Sequence, residues 1–134
     1  MEIITFEIPG EPVAKGRPRF GKGRTYTPEK TRKYETKVKH EAMKHAPDKP
    51  LSGPLEVRLV FYRPMLSRFS RKKQKEAEDG LLRPTTRPDA DNLAKSVLDP
   101  MNGIIFEDDS QVVTLIAEKY YSTEPRVFVE IIQP

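Results

Sequence analysis

The acidic run at residues 87–95, RPDADNLAK, carries the side chains of this sequence that are best suited to chemistry. Asp89 and Asp91 are two residues apart, so an extended backbone at this point directs both carboxylates to one side. Lys95 lies four residues after Asp91, one turn further along the helix that begins here. Carboxylates that converge without histidine or cysteine form an all-oxygen site that suits Mg²⁺ or Mn²⁺. The run therefore predicts one half of a metal site.

A second acidic group, which ends in Asp108 and Asp109, supplies the other half if the chain folds back. Asp99 extends the acidic helix face, and Asn102-Gly103 predicts a turn after the helix. The two groups meet if residues 104–109, which include a short strand candidate at 104–106, run beside the helix on a sheet. A complete site can polarise a phosphodiester and generate hydroxide from bound water, and an adjacent lysine can neutralise charge on the phosphate.

The same residues also have a structural interpretation. Asp89 or Asp91 can serve as the N-cap of the helix, Lys95 can be a solvated helix residue, and Asp108-Asp109 can be an exposed turn. Carboxylates packed together repel one another, which favours a bound cation once convergence is granted. The residues by themselves leave both interpretations open.

Two basic segments are suited to a polyanion. Residues 15–24, KGRPRFGKGR, hold five positive charges and no acid, and residues 63–75 hold six positive charges and no acid. Arginine can grip phosphates in a bidentate manner, and an interleaved aromatic ring can stack on an exposed base. The alternative is a pair of solvated basic loops. The candidate DNA-binding residues are Lys15, Arg17, Arg19, Lys22, Arg24, Arg68, Arg71, Lys72 and Lys73.

The distribution of charge along the chain agrees with two separate tasks. Residues 1–87 contain 21 basic and 11 acidic side chains, whereas residues 88–134 contain 3 basic and 9 acidic ones. The first part can neutralise a polyanion, and the second can hold a cation against it. Chance segregation of charge on a solvated surface is the alternative.

Composition excludes several classes of protein. The 134 residues include no cysteine and two histidines, which excludes disulfide frameworks, thiolate zinc sites and multi-histidine metal sites. No apolar run approaches the roughly 18 residues of a membrane span, and the N-terminus does not resemble a signal peptide. We therefore expect a cytoplasmic protein with no membrane partner, folded as a single domain over residues 1–134.

The pattern of apolar residues predicts the element order β-α-β-α-β-β. That order implies one mixed sheet with two main helices packed on it, an α/β or α+β fold. A loop or ragged hairpin at 11–27 and a short helix near 70–78 are also expected, and a turn at 122–125 is expected to join the last two strands as a hairpin. The predicted strands are 2–8, 55–62, 104–106, 111–121 and 126–132, and the predicted main helices are 28–45, with Thr27 as N-cap, and 91–101. The apolar stripe of the first helix is expected to be Tyr34, Val38, Ala42 and His45, and that of the second Leu93, Val97 and Met101.

The run Arg87-Pro-Asp89-Ala-Asp91-Asn-Leu-x-Lys95, followed by Leu98-Asp99 and by Asp108-Asp109-Ser-Gln-Val112, resembles the RusA family of Holliday junction resolvases. These are small endodeoxyribonucleases that phages and prophages often carry. The opening segment 9–19, with Pro9-Gly-x-Pro12 and Lys15-Gly-Arg17-Pro-Arg19, is similar to the branch found in Gram-positive bacteria and their phages.

The resemblance implies a homodimer that binds four-way DNA junctions and cuts two strands symmetrically with Mg²⁺, Mn²⁺ being a possible substitute, and with no small-molecule cofactor. It implies metal-binding carboxylates at Asp89, Asp91 and Asp109, with Asp108 beside them, and a catalytic lysine at Lys95. A two-fold dimer matches the two symmetric scissile phosphates of a junction. Two other functions remain open: a non-enzymatic nucleic-acid binder, and a structural cation-binding module of a phage particle.

Overall fold

The computed structural model describes residues 1–16, 19–21, 24–26 and 28–134. Most predicted elements are confirmed within a few residues, and the order of the main ones is as predicted. The helices are α1 (Glu29–Lys44), α2 (Arg71–Glu78) and α3 (Ala90–Met101), with a 3₁₀ turn at Asp109–Gln111. The strands are β1 (Glu2–Pro9), β2 (Arg19–Gly21), β3 (Arg24–Tyr26), β4 (Leu55–Pro64), β5 (Val112–Ser122) and β6 (Arg126–Gln133). The predicted N-cap Thr27 lies outside the described residues.

Four of the strands form one mixed sheet in the order β1-β6-β4-β5, which confirms the α+β prediction. Strand β6 runs antiparallel to both of its neighbours, and β5 runs parallel to β4. Strands β2 and β3 pair separately as a small antiparallel hairpin, in agreement with the prediction for residues 11–27.

The prediction that β5 and β6 form a hairpin is wrong, because β4 lies between them. Burial accounts for this order. Alternate residues of β4 and β6 are completely buried, whereas no residue of β5 is buried. The two strands with buried alternate residues take the centre of the sheet beside each other, whereas β5, whose side chains are all half-exposed or exposed, lies at the edge.

Helices α1 and α3 pack against each other and cover one face of the sheet. The predicted apolar faces are confirmed, with one exception. Tyr34, Val38 and Ala42 of α1 are buried, and so are Leu93 and Val97 of α3. His45, which was assigned to the stripe of α1, is exposed at the end of that helix and stacks on the ring of Phe6.

Residues 104–106 do not form the predicted strand. The amides of Ile104 and Ile105 donate to the carbonyl of Met101, and the amide of Gly103 donates to the carbonyl of Phe106, so the segment is a tight turn. Gly103 has φ +78°, which favours glycine. Ile105 and Phe106 are completely buried, and insertion of these side chains into the core reverses the chain. The turn thus returns the second acidic group towards α3, by a route other than the one predicted. None of the helices in the described ranges is long and apolar enough to cross a membrane.

Candidate metal and nucleic-acid site

Asp89 and Asp91 lie at the first turn of α3. Asp89 occupies the N-cap position with an extended backbone, and its carbonyl accepts a hydrogen bond from the amide of Leu93. Its carboxylate makes no capping hydrogen bond, so the capping role considered for it from the sequence is not used. Both aspartates are exposed. The positive end of the helix dipole lies at this turn and favours negative charge.

Asp99, two turns beyond Asp91 on α3, lies beside Asp109 of the 3₁₀ turn. Lys95 Nζ lies 3.6 Å from Asp99 Oδ2, one turn along α3. Burial raises the pKa of the Asp109 carboxyl, and the negative charges of Asp108 and Asp99 raise it further, whereas Lys95 opposes the shift. The raised pKa therefore reflects burial first and the neighbouring carboxylates second, and a bound cation would relieve both.

Asp108 and Asp109 have different surroundings although they are adjacent in sequence. The Asp108 carboxylate accepts a hydrogen bond from the Ser110 amide at 2.9 Å, and the Gln111 side chain accepts one from the Asp108 amide at 2.8 Å. This reciprocal capping box begins the 3₁₀ turn, and the hydrogen bonds to Ser110 lower the pKa of Asp108. The side-chain amide of Gln111 also donates to the carbonyls of Leu51 and Gly53. Asp108 and Gln111 thus anchor the turn from which Asp109 extends.

Lys15 is bound by two carboxylates. Its ammonium lies 2.8 Å from Glu35 on α1 and 3.2 Å from Asp99 on α3. Burial lowers the pKa of Lys15, but these two partners more than compensate, so its pKa is raised. The Lys15 amide donates to the Asn92 carbonyl, and the Gly16 amide donates to the Thr31 hydroxyl. The segment that leads into the first basic run is therefore fastened between the two main helices. The DNA-binding role of Lys15 stays a prediction.

Glu35 was missed by the sequence analysis. It is partly buried on α1, but no local signal in the sequence separates it from the other charges of that helix. In the part of the chain that the structure describes, Lys15 and the packing of α1 on α3 connect it to the acidic site.

The other candidate DNA-binding residues fall in two places. Arg68, Arg71, Lys72 and Lys73 are exposed, and the last three form the first turn of α2, which begins at the N-cap Ser70. Helix α2 packs against β5, and the rings of Phe69 and Tyr121 meet edge to face at 5.1 Å. Arg19 and Arg24 belong to β2 and β3, whereas Arg17 and Lys22 lie outside the described residues.

An open pocket at the start of α3 is lined by Arg87, Pro88, Asp89 and Asn92. A second pocket shares Pro88 and has Lys30, Arg63 and the acidic Glu11 in its lining. Two cationic side chains thus line the pocket that adjoins the start of α3.

The candidate donors fit a hard divalent cation by their chemistry, because all of them are carboxylate oxygens. Within the described ranges, however, no three histidine, aspartate or glutamate side chains are close enough together to hold a metal ion. Asp99 and Asp109 are brought together, and Asp89 and Asp91 lie on the preceding turns of α3. A metal site formed by Asp89, Asp91 and Asp109 stays a prediction.

This arrangement defines a small α+β protein with acidic side chains and a lysine on one helix and basic side chains near them, a combination suited to phosphodiester chemistry. Comparison with known proteins gives the family. The family model of the endodeoxyribonuclease RusA matches residues 9–132. The protein YqaN of Bacillus subtilis (strain 168), which is described as uncharacterized, is 46% identical over 137 residues, an alignment that covers 98% of this chain and 96% of YqaN. The chain belongs to the RusA endodeoxyribonuclease family, and the predicted resemblance is confirmed.

Proposed function

We propose that this protein is a Mg²⁺-dependent endonuclease that resolves four-way DNA junctions by paired, symmetric cuts, a step of DNA recombination and repair. The observation that carries the proposal, beyond family membership, is the position of Asp109 beside α3. This helix carries Asp89, Asp91 and Lys95, and the fold returns Asp109 to it from a separate segment. Single-domain folding and a cytoplasmic location are part of the same proposal.

In this proposal Asp89, Asp91 and Asp109 bind Mg²⁺, with Asp108 beside them. The bound cation would supply activation of water and stabilisation of the leaving oxygen. Lys95, which is exposed and one turn beyond Asp91, faces the phosphate and neutralises charge that develops there. The first turn of α2 and the segment from Lys15 to Arg24 bind the junction arms, since their charge is opposite to that of the DNA backbone.

We further propose that the protein acts as a homodimer. Strand β5 lies at the edge of the sheet, and three of its apolar side chains are unusually exposed: Val113 by 68%, Leu115 by 45% and Ile116 by 49%. An exposed apolar edge strand is a surface that proteins normally cover. Two active sites related by a two-fold axis would match the symmetry of a four-way junction.

The test is a cleavage assay on an immobile four-way junction labelled on each strand in turn, beside a linear duplex of the same sequence. We expect Mg²⁺-dependent nicks at symmetric positions in two opposing strands and little cutting of the duplex. Asp91→Asn should not cut, whereas Asp48→Asn, which makes the same charge change at an exposed residue far along the chain from the site, should cut normally.

Two results would contradict the proposal. Junction binding without cleavage in Mg²⁺ or Mn²⁺ would indicate a non-enzymatic nucleic-acid binder. Tight Ca²⁺ binding without affinity for DNA would indicate a structural cation-binding module.

A further inference from the structure

We infer that Lys119 is a positioning residue for the acidic site, which it serves by fixing the loop that leads into Asp89 and the first turn of α3, where Asp91 lies. The expected effect of Lys119 on cleavage rests on the proposed function, whereas its expected effect on the loop before Asp89 does not. Lys119 lies on β5 and was not among the residues predicted from the sequence. The sequence does single out Lys119, because it is one of only three basic residues in the stretch 88–134, where acidic residues predominate.

The Lys119 ammonium binds main-chain carbonyls. Nζ donates to the carbonyl of Thr86 at 2.9 Å and to the carbonyl of Pro88 at 3.0 Å. No carboxylate lies within ion-pair distance of this ammonium among the described residues. Hydrogen bonds from a charged donor are shorter and roughly twice as strong as neutral ones. Two of them on carbonyls two residues apart hold the turn at Thr86–Pro88 against the sheet, and Asp89 is the next residue.

The strand that carries Lys119 also carries the other half of the site. The 3₁₀ turn with Asp109 runs directly into β5, which begins at Val112. Lys119 pairs across the sheet with Phe61 of β4, which is completely buried, so the backbone at this point is paired with a core strand. Both acidic groups are thus connected to β5. Asp109 is connected through the main chain, and Asp89 is connected through the hydrogen bonds of Lys119 to the loop that precedes it.

Further contacts hold this part of β5 in place. Arg83 Nε donates to the Lys119 carbonyl at 3.0 Å, and the Arg83 guanidinium lies 4.1 Å from the centre of the Tyr120 ring. An edge strand otherwise leaves such carbonyls to solvent. The position of the ammonium is therefore set by a strand that is fixed on both sides, as a positioning residue requires.

The first test measures the loop itself and does not depend on nuclease activity. Amide hydrogen exchange is compared in wild type, Lys119→Met and Lys119→Arg, with Lys44→Met as a control that removes the same charge from an exposed position on α1. We expect the Leu93 amide, which is bonded to the Asp89 carbonyl, to exchange about tenfold faster in Lys119→Met because the first turn of α3 loses its anchor. Amides of β6 should be unchanged, and Lys119→Arg should restore most of the protection.

The second test measures the site. Loss of a residue that orients metal-binding groups typically costs about 10–100-fold in metal affinity or activity. We expect Lys119→Met to need at least several-fold more Mg²⁺ for half-maximal single-turnover cleavage, while junction affinity in EDTA is unchanged. Arg58→Met, which removes the ion pair to Glu118 across β4 and β5, controls for a general loss of stability and should leave the Mg²⁺ requirement unaltered.

The outcomes separate the two proposals. Unchanged exchange of Leu93 in Lys119→Met overturns the inference, whatever the protein does to DNA. If Leu93 exchanges faster in Lys119→Met but the wild-type protein never cuts a junction, the positioning role is supported and the proposed function is overturned. If Lys119→Met does not fold, Lys119→Ala, which also removes the donor, is measured in its place, with the same two results deciding.

Discussion

The ammonium of Lys15 lies 3.2 Å from the carboxylate of Asp99, which joins the basic N-terminal segment to the helix that carries the acidic site. Lys15 also pairs with Glu35, so one cation sits between two carboxylates on two different helices. The side chains of all three residues are about one-fifth to one-quarter exposed, at 23%, 18% and 24%. The pairing is therefore partly shielded from solvent, unlike the exposed pairs on α1.

Lys15→Met should destabilise the fold, because it leaves Glu35 and Asp99 close to each other without a counter-charge. We expect the free energy of unfolding, measured by urea denaturation, to fall by about 1–2 kcal/mol, between the values for exposed and buried ion pairs. Lys33→Met, which removes a strongly exposed pair with Glu29, is the control and should change stability by less than about 0.5 kcal/mol. Unchanged stability with weakened DNA binding would instead make Lys15 a direct phosphate contact.

Asp109→Asn and Asp108→Asn should have opposite effects on stability. The raised pKa of Asp109 means that its charge disfavours the folded state, so Asp109→Asn should melt at or above the wild-type temperature while cleavage is lost. Asp108 caps the 3₁₀ turn and its lowered pKa means that its charge favours folding, so Asp108→Asn should melt lower. Thermal melts at neutral pH measure the stability of both variants, and single-turnover assays measure their cleavage rates.

The raised pKa of Asp109 also predicts the direction in which stability changes with pH. A carboxyl whose folded pKa is raised binds a proton more readily in the folded state, so its contribution to stability is full below the unfolded value of 3.8 and is lost as pH rises through the folded pKa. The difference in stability between Asp109→Asn and wild type should therefore shrink as pH falls towards 3.8. A difference that grows on acidification would show that Asp109 is held ionised by an unrecognised partner.

Lys95→Ala should slow cutting and leave binding intact. The Lys95 side chain is 59% exposed and its pair with Asp99 is loose at 3.6 Å, so its loss should barely affect the fold. Loss of one contact made in the transition state typically lowers the rate by about 10²–10³-fold. A single-turnover assay at saturating enzyme measures this, and Lys44→Ala serves as the exposed control. A wild-type rate for Lys95→Ala would leave it a solvated helix residue.

Charge reversal of Arg71, Lys72 and Lys73 should weaken junction binding and reduce its salt dependence. Each phosphate contact contributes about −0.9 to the slope of log K against log salt on duplex DNA. Fluorescence anisotropy in EDTA over a range of salt concentrations gives the slope. Reversal of three lysines that are exposed elsewhere, Lys39, Lys44 and Lys49, is the control. Equal effects from both sets would mean that net charge, rather than the α2 turn, governs binding.

Much of the fold follows from local pattern. The apolar residues of α3, at positions 93, 97 and 101, and the alternation in β4 and β6 predicted which faces are buried, since periods of 3.6 and 2 place side chains on one side of an element. The motif at residues 87–95 likewise placed Asp89, Asp91 and Lys95 on the start of a helix, because their spacing is within one or two turns.

Pairing between distant segments was decided by the tertiary structure alone. The alternation of β5 and β6 does not say which strand lies between them, because that order depends on how much of each strand is buried once the sheet is complete. The pairing of Lys15 with Asp99 and the hydrogen bonds of Lys119 to the loop before Asp89 join residues 31 to 84 positions apart. Such contacts form only when packing brings their backbones together, and no local periodicity encodes them.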